Sequence, residues 1–439
     1  MRSSWLFSIF LAWMAGALLR PTRTRRCANR VYSSVKDDPA APGSASVSPM
    51  LTTRRVRYSG LYPRAFREKY KELRKDPSTL AKVLSKGSTP AGMHIPILLD
   101  KCLEHLGFNG NGTFPAGRPV MAVDCTLGYG GHSSEILRRL LDRCDGSKLL
   151  CLDRDCVESV KAEKRLRAII SEVVQAGASG TGTQTLPQEQ AQAQAQAQAQ
   201  SLQSTVRVAN INFRLLKPYL LERGLLGRVS SLLCDLGLSS MQIDDAARGF
   251  SYKANGPLDM RMDPASNNVT ALSLLQSVNS KDLERILREN SDEPYSRQIA
   301  LELLGPEAGP LPATTIELSM RIRQCLQQRC GLAKVDLTKA ILDGTVKRCM
   351  QAIRIEVNQE FSSLESLLQD LPDILAPGGR AVFLTFHSGE DRRVKKSFKA
   401  NFKAGVYQTW SRDVERADAA ERHDNSRSSC AKLRWCINK

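Results

Sequence analysis

Three short segments of the chain hold residues whose types and spacing could do chemistry. The first is Asp124-Cys-Thr-Leu-Gly128-Tyr-Gly130-Gly131-His132, following the apolar run at 120–124. Glycines at a bend let the backbone approach a ligand closely, and a helix starting there offers it free N–H groups. The second is Asp153, which ends the apolar run 148–153, 23 residues after Gly130. A carboxylate at that place can take both hydroxyls of a ribose. Glycine turn plus acidic strand end reads as an adenosine-type ligand, a feature that dinucleotide and S-adenosylmethionine sites share. The third is Asp235-Leu-Gly-Leu-Ser-Ser240, with Gln242 close behind. In an open α/β sheet, ligands bind beyond the carboxyl ends of the strands where the strand order reverses, which sets Asp235 over the pocket of the glycine turn. A carboxylate before a small, tight turn suits methyl transfer to an amine. A conjugated exocyclic amine is a poor nucleophile, and an acceptor that orients its N–H groups favours attack through positioning. From this segment alone, a helix N-cap or turn acid remains the bland alternative for Asp235.

The elements that must position these residues follow from the apolar pattern. Residues 120–124, 148–153, 206–209, 229–235 and 380–386 read as strands, and residues 132–141 and a segment from Cys156 as helices. Such alternation implies a parallel sheet flanked by helices. Ile353, Val357, Phe361, Leu364, Leu368 and Leu371 repeat every three or four positions, which predicts one apolar face of a long helix. Pro377-Gly378-Gly379 stops the approach to the last strand. Residues 244–347 carry helical patterns (Leu283/Ile286/Leu287, Ile299/Leu303, Leu318/Ile322/Leu326) and no convincing strand, as expected of a helical domain inserted into the sheet domain. The resulting division is a targeting presequence and linker at 1–50, a basic extension at 51–93, the sheet domain at 94–243 and 348–439, and the helical insertion at 244–347. Within the first part, 175–204 is an Ala/Gln-rich insertion without the apolar pattern that would offset its ordering entropy, and it reads as disordered.

The 439 residues carry a net charge of +18, of which the first 57 contribute +8, from nine Arg and one Lys against two Asp. A body left with +10 suits a polyanionic partner, because each neutralised phosphate releases counterions; a merely soluble surface explains the charge equally well. Residues 1–36 hold six Arg, several Ser and no Asp or Glu, the composition of an organellar presequence into a plastid stroma or mitochondrial matrix. The apolar stretch 5–19 is shorter than the ~20 residues of a membrane span, so no stable membrane association is expected. It also resembles a signal-peptide core, which leaves a bipartite plastid signal and a plain basic tail as alternatives. The twelve cysteines form no Cys-x-x-Cys pair, and they read as structural thiols with no metal site.

Further motifs accompany the three segments: His94-x-Pro96-Ile-Leu-Leu, Asp153-Arg-Asp155, Asp244-Asp245-x-x-Arg248-Gly249-Phe250-Ser251 and Gly256-Pro-Leu-Asp-Met-Arg-Met-Asp263. Later come Gln351-Ala-Ile-Arg354-Ile-x-Val-Asn358-x-Glu360, Ala376-Pro-Gly-Gly379, Phe386-His387-Ser388-x-Glu390-Asp391-Arg392, Asn425-x-Arg427-Ser428 and Lys432-Leu-Arg434. In this order, from His94 to Arg434, they resemble the RsmH/MraW family, the small-subunit ribosomal RNA (cytosine-N4)-methyltransferases. The resemblance implies a class I methyltransferase fold, Rossmann-like, with a helical insertion that helps hold RNA. It implies S-adenosylmethionine as donor, a decoding-centre cytosine as target, and small-subunit ribosomal RNA or the assembling small subunit as partner. Residue by residue it implies donor contacts at Gly130, Gly131, His132, Asp153, Phe213, Asp235 and Gln242, with Asp235 also catalytic.

The residues themselves leave several roles open. Phe213 suits core packing as well as adenine stacking. His132 fits the donor pocket chiefly through its backbone. His387 either lines the target pocket or pins the end of its strand. Arg392, Arg393, Lys395 and Lys396 either grip phosphates or form a solvated helix face. Two departures stand out. Asp343-Gly-Thr-Val-Lys-Arg348 replaces the family's His-Pro-Ala-Thr-Arg-like run but keeps the basic pair Lys347/Arg348 for RNA. Gly389 stands where the family usually has Leu, which is expected to loosen one packing position. An RNA-binding assembly factor without catalysis is the alternative of another class, and the intact glycine turn, Asp153 and Asp235 speak against it. DNA amino-methyltransferases carry Asp/Asn-Pro-Pro-aromatic where this chain has Asp-Leu-Gly-Leu.

Overall fold

The computed structural model describes residues 96–109, 114–115, 117–143, 146–180, 202, 204–329 and 338–439, with side chains in the 156–180 helix described to Gln175. The presequence, the basic extension, His94 and the alternating Ala-Gln run lie outside the described residues. Five strands form the parallel part of a sheet: β1 (Met121–Asp124), β2 (Lys148–Leu152), β3 (Val206–Ala209), β4 (Val229–Asp235) and β5 (Leu375–Thr385). Two more, β6 (Tyr407–Trp410) and β7 (Lys432–Asn438), complete the order β3-β2-β1-β4-β5-β7-β6. β7 runs antiparallel to β5, and β6 antiparallel to β7. The order reverses between β1 and β4, which are direct neighbours, Asp124 standing opposite Leu233. This is the sheet of a class I methyltransferase.

Alternate residues of each central strand go to opposite faces, as a pleated strand requires. Ala122, Cys151, Leu233 and Val382 join one buried cluster with α1 (Leu99–Leu106), α2 (Gly131–Arg143) and α3 (Cys156–Gly180). Val123, Leu150, Cys234 and Phe383 join the other, with α4 (Leu216–Leu221) and helices that follow later in the chain. Each fully buried Leu or Phe on these faces contributes roughly 1.5–3 kcal/mol relative to exposure. α3 continues to Gly180, so the Ala/Gln-rich insertion begins at least five residues later than the composition suggested. A helix already nucleated carries the turn on through residues 176–180, Ala-Gly-Ala-Ser-Gly, in spite of its two glycines.

Between β4 and β5 lie α5 (Ser240–Asp244), α6 (Ala271–Ser277), α7 (Ser280–Ser291), α8 (Ser296–Leu304), α9 (Thr315–Arg329), α10 (Lys339–Asn358) and α11 (Glu360–Ile374). Leu258, Leu287, Ile299, Ile322 and Ile353 belong to a third buried cluster, separate from the two on the sheet. Its members reach Val357, ten residues past the boundary at 347 drawn from the sequence, because α10 is unbroken there.

The apolar repeat 353–371 is not one helix. Gln359 adopts φ 51°, ending α10 and starting α11. Buried Asn358 explains the break: its Oδ1 accepts from Met262 N at 2.8 Å, and its Nδ2 donates to Met260 O and Arg354 O at 2.7 and 2.9 Å. The helix end is thus tied to the Gly-Pro-Leu-Asp-Met-Arg-Met-Asp strap, and the apolar spacing carries no mark of the bend. β5 likewise begins at Leu375, earlier than expected, with the register shift against β4 absorbed at Pro377–Gly379 and Gly378 at φ 72°. After β5 the chain forms α12 (Ser388–Lys403), β6, α13 (Ala419–Asp424) and β7. Among the described residues no helix is long and apolar enough to cross a membrane.

Candidate active site

At the carboxyl ends of β1, β2 and β4 the loops enclose a cavity of about 890 Å³, in the range of small-molecule sites. Its floor comes from the sheet loops and its far wall from Met262, Arg354, Glu360 and Phe361 of the helical region and α11. The segment 425–427 and Cys430 close one side.

The glycine turn is built as the sequence implied. Leu127 N donates to Leu152 O at 2.8 Å and Gly130 N to Leu127 O at 2.7 Å, folding the loop back over β2. Gly130 sits at φ 87° with Ala162 Cβ 3.4 Å from where its own Cβ would stand, so it makes the bend, while Gly128, Gly131 and His132 form the wall. Asp153 is gripped from behind. Its Oδ2 accepts from Gly128 N at 2.6 Å and its Oδ1 from Asp155 N at 2.8 Å, which leaves a lone pair on each oxygen for a diol. Burial pushes its carboxyl up to about 6, against those two N–H bonds and with Asp155 and Asp124 adding repulsion.

Gln242 lines the cavity, but its amide is committed elsewhere. Its Oε1 accepts from Ser239 N at 3.0 Å, and its Nε2 donates to Asp155 Oδ2 at 2.8 Å. Arg248 Nη2 reaches the same Asp155 oxygen at 3.0 Å and Met262 O at 2.9 Å, so Asp155 ties the donor loops to the helical strap. Gly249 and Gly256 are required in that strap, since a Cβ on either would run into the carbonyl of Pro257 or Ala246. Phe213, capped into a short 3-10 turn by Asn212, packs one side into the sheet core and turns the other to the cavity.

Asp235 ends β4 at the strand-order reversal. Its backbone N donates to Thr126 Oγ1 at 2.6 Å, fixing it against the glycine turn. Oδ2 stands 3.6 Å from His132 Nδ1, and Oδ1 is buried with no hydrogen-bond partner. The 28% of its side-chain surface that is open belongs to a residue of the cavity wall. Burial pushes its carboxyl up to about 6; His132 opposes this, and Asp124 and Glu390 add to it. The helix-cap alternative fails, because the N-cap of α5 is Ser239, in a capping box with Gln242.

His387 serves both of its expected roles. It lines the cavity, and its Nε2 lies 3.1 Å from Glu390 Oε1 at the start of α12. Although burial pushes Glu390 up, His387 and Phe386 N–H outweigh it and hold the carboxylate below its usual range. Gly389 does not loosen the packing: a Cβ there would stand 2.6 Å from Phe361 Cζ, so the Phe361 ring fills the space of a larger side chain. Arg393 stacks on that ring with its guanidinium 3.5 Å from the centroid.

Three basic residues expected at RNA are tied to the protein. Arg348 Nε donates to fully buried Glu293 Oε2 at 2.7 Å, and Arg392 makes a bidentate pair with Asp292 at 2.9 and 3.0 Å. Arg393 is paired with Glu365 at 2.7 Å. Lys347, Lys395 and Lys396 are exposed, and on the cavity rim stand Lys253, Arg154 and Arg427. Sequence reasoning missed Phe361, Arg354 and Arg154 as wall residues. Phe361 counted as core spacing, and only the break at Gln359 turns it toward the cavity.

A sheet of this order, a glycine turn after β1, a ribose-type carboxylate after β2 and an unpartnered carboxylate after β4 define a class I methyltransferase. The cofactor is S-adenosylmethionine, and the residues fit it: Asp153 and Asp235, both raised and both repelled by Asp124, favour a cationic ligand, and Asp235 presents a partly open carboxylate to the cavity. The family model of the MraW methylase family matches residues 91–186 and 181–439, and the chain belongs to that family. Among its relatives, the ribosomal RNA small subunit methyltransferase H 1 of Agathobacter rectalis is 38% identical over 388 residues, covering 88% of this chain and 97% of the relative. Its namesake in Lachnoclostridium phytofermentans is 38% identical over 386 residues, with 88% and 92% covered. The Mesoplasma florum ribosomal RNA small subunit methyltransferase H is 34% identical over 306 residues, with 70% and 81% covered.

Proposed function

We propose that this chain methylates the exocyclic N4 amine of a cytosine in the decoding region of small-subunit ribosomal RNA, inside an organelle. The observation that carries the reading is Asp235, a carboxylate at the strand-order reversal that lines the cavity with 28% of its side chain open and no hydrogen-bond donor at Oδ1. The names of the relatives support ribosomal RNA as substrate. The acid-free, Arg-rich residues 1–36 support import into a plastid stroma or mitochondrial matrix.

S-adenosylmethionine supplies a methyl group made electrophilic by its sulfonium. Asp153 would hold the ribose, Phe213 the adenine face, Gly131 and His132 the backbone contacts, and Asp235 the cationic end together with the amine. Gln242 positions the loop through Asp155 without spending its own amide on the ligand. The Asp235 carboxylate accepts an N–H of the target amine on its open side, aims the nitrogen lone pair, and takes a proton once nitrogen has gained its fourth bond. A stacked base cannot reach such a depth, so the cytosine enters unpaired or flipped. Phosphate contacts fall to the exposed Lys395 and Lys396 and to Lys253 on the rim, since Arg348, Arg392 and Arg393 are engaged and Arg427 stands 3.7 Å from Asp244.

Mapping N4-methylcytosine in organellar small-subunit RNA from cells with and without the gene tests the reading. One cytosine is expected to lose its methyl group, and unchanged methylation at every cytosine would sink it.

A further inference from the structure

His132 lies in the first turn of α2, buried, with both ring nitrogens opposite oxygen atoms. Nε2 is 3.0 Å from the carbonyl oxygen of Ile97, and Nδ1 is 3.6 Å from Asp235 Oδ2. A carbonyl oxygen only accepts, so Nε2 carries a hydrogen and donates it. In the neutral ring Nδ1 is then a bare lone pair facing a carboxylate oxygen, which is also an acceptor. Two acceptors held face to face make a seat for one proton. The other carboxylate oxygen, Oδ1, is buried without a partner, so the open 28% of the side chain, where substrate can reach it, excludes Oδ1.

We propose that His132 is the final proton acceptor of the reaction, receiving at Nδ1 the proton that Asp235 removes from the methylated amine. This rests on the reading of Asp235 as the carboxylate that faces the amine. An N–H bond of the cationic, newly methylated nitrogen breaks, its electron pair stays on nitrogen, and an O–H bond forms at Asp235. The neutral carboxyl turns about Cβ–Cγ and passes the proton to Nδ1. The carboxylate is regenerated, and the imidazolium keeps its Nε2–H on Ile97. The other charged groups that face the pair are anionic. Asp124 of β1 accepts from Ser133 Oγ at 2.6 Å and Thr126 N at 3.0 Å, and Glu390 of α12 is set against His387. Among the described residues, the segment before α1 contributes the Ile97 backbone. His132 acts through Asp235 and is a positioning residue that also stores the proton.

The test uses the full chain, ligand-free and labelled with ¹⁵N-histidine. It has five histidines, and His132 is assigned by comparison with His132→Gln. The expected spectrum shows the Nε2–H tautomer at high pH, Nδ1 protonating on acidification, and a displaced Nδ1 midpoint in Asp235→Asn. An Nδ1–H tautomer at high pH, or a midpoint unmoved by Asp235→Asn, overturns the proposal. In single-turnover methyl transfer, His132→Gln can still donate to Ile97 but cannot store the proton. Its rate is expected to fall about tenfold to a hundredfold with a shifted acid limb, while calorimetric affinity for S-adenosylmethionine stays within a few-fold. An unchanged rate and pH profile, or a rate loss matched by lost affinity, also overturns it. The resonance measurement needs no RNA, so a wrong substrate assignment and a wrong role for His132 fail separately.

Discussion

Replacing Asp235 by Asn removes a charge while keeping the shape, and the structure predicts that the ligand-free protein becomes more stable. The Asp235 carboxyl is raised from 3.8 to about 6, first by burial and then by Asp124 and Glu390. A shift of about 2 units at 1.36 kcal/mol per unit amounts to roughly 3 kcal/mol. Because 28% of the side chain is open, water relieves part of this, and about 1–3 kcal/mol is the working range. The sign follows from linkage. The folded-state value lies above the unfolded one, so the contribution is fully present below about 4 and is lost as pH rises through about 6. At pH 8 the native protein carries a desolvated carboxylate that the unfolded chain solvates freely. Asn carries no such cost, and its amide can donate to the His132 lone pair.

Thermal unfolding of both proteins between pH 4 and pH 8 reads this out. The Asn variant is expected to come closest to wild type near pH 4, to show about half of the gap at pH 5, and to exceed wild type by roughly 2–6 °C at pH 8. Asp153 is common to both proteins and cancels in the difference, whereas Asp124 loses a repelling neighbour in the variant and adds to the same sign. In the same samples, S-adenosylmethionine is expected to raise the wild-type midpoint by mass action and the variant's much less. A variant less stable than wild type at pH 8, or a gap that does not change with pH, refutes the reasoning. Either result would mean that attraction to His132 outweighs desolvation.

The remaining predictions concern single contacts. The rate of methyl transfer under single-turnover conditions should rise with pH through about 6 and then level, because Asp235 must be ionised to accept a proton; a profile flat from pH 5 to 8 contradicts this. Gly389→Leu should destabilise the fold by about 1–3 kcal/mol in chemical denaturation, since Phe361 already fills that space, and Phe361→Ala in the same chain should recover part of the loss. Additive losses in that double-mutant cycle would show that the two residues do not share the space. Arg348→Met should cost about 3–5 kcal/mol by stranding Glu293 in the core, with RNA affinity changed little in the folded fraction. A selective loss of RNA affinity with stability intact would return Arg348 to the RNA surface.

What was legible in the sequence divides along a physical line. Strands buried on both faces announce themselves as short apolar runs, and β2 and β4 fall within a residue of where the runs do. β6 and β7 pass unnoticed because Tyr407–Trp410 and Lys432–Asn438 mix polar and apolar residues in ways that an antiparallel edge tolerates and a periodicity does not flag. Breaks hidden in a continuous repeat are equally silent. Residues 353–371 keep helical spacing through Gln359, and only the bonds of Asn358 to the strap reveal that the chain turns there. The same limit governs the site. Glycine turn and acids are recognisable because backbone geometry demands those residue types at strand ends. Whether a side chain faces ligand or protein is decided by partners far away in sequence. Gln242 spends its amide on Asp155, 87 residues before it, and Arg348 on Glu293, 55 before it. His132 points its ring at Ile97 and Asp235, where the motif alone assigned it a backbone role. Residue type at a strand end therefore locates a site of this class, while the charge on each group, and so its chemistry, is set by contacts that only the folded chain brings together.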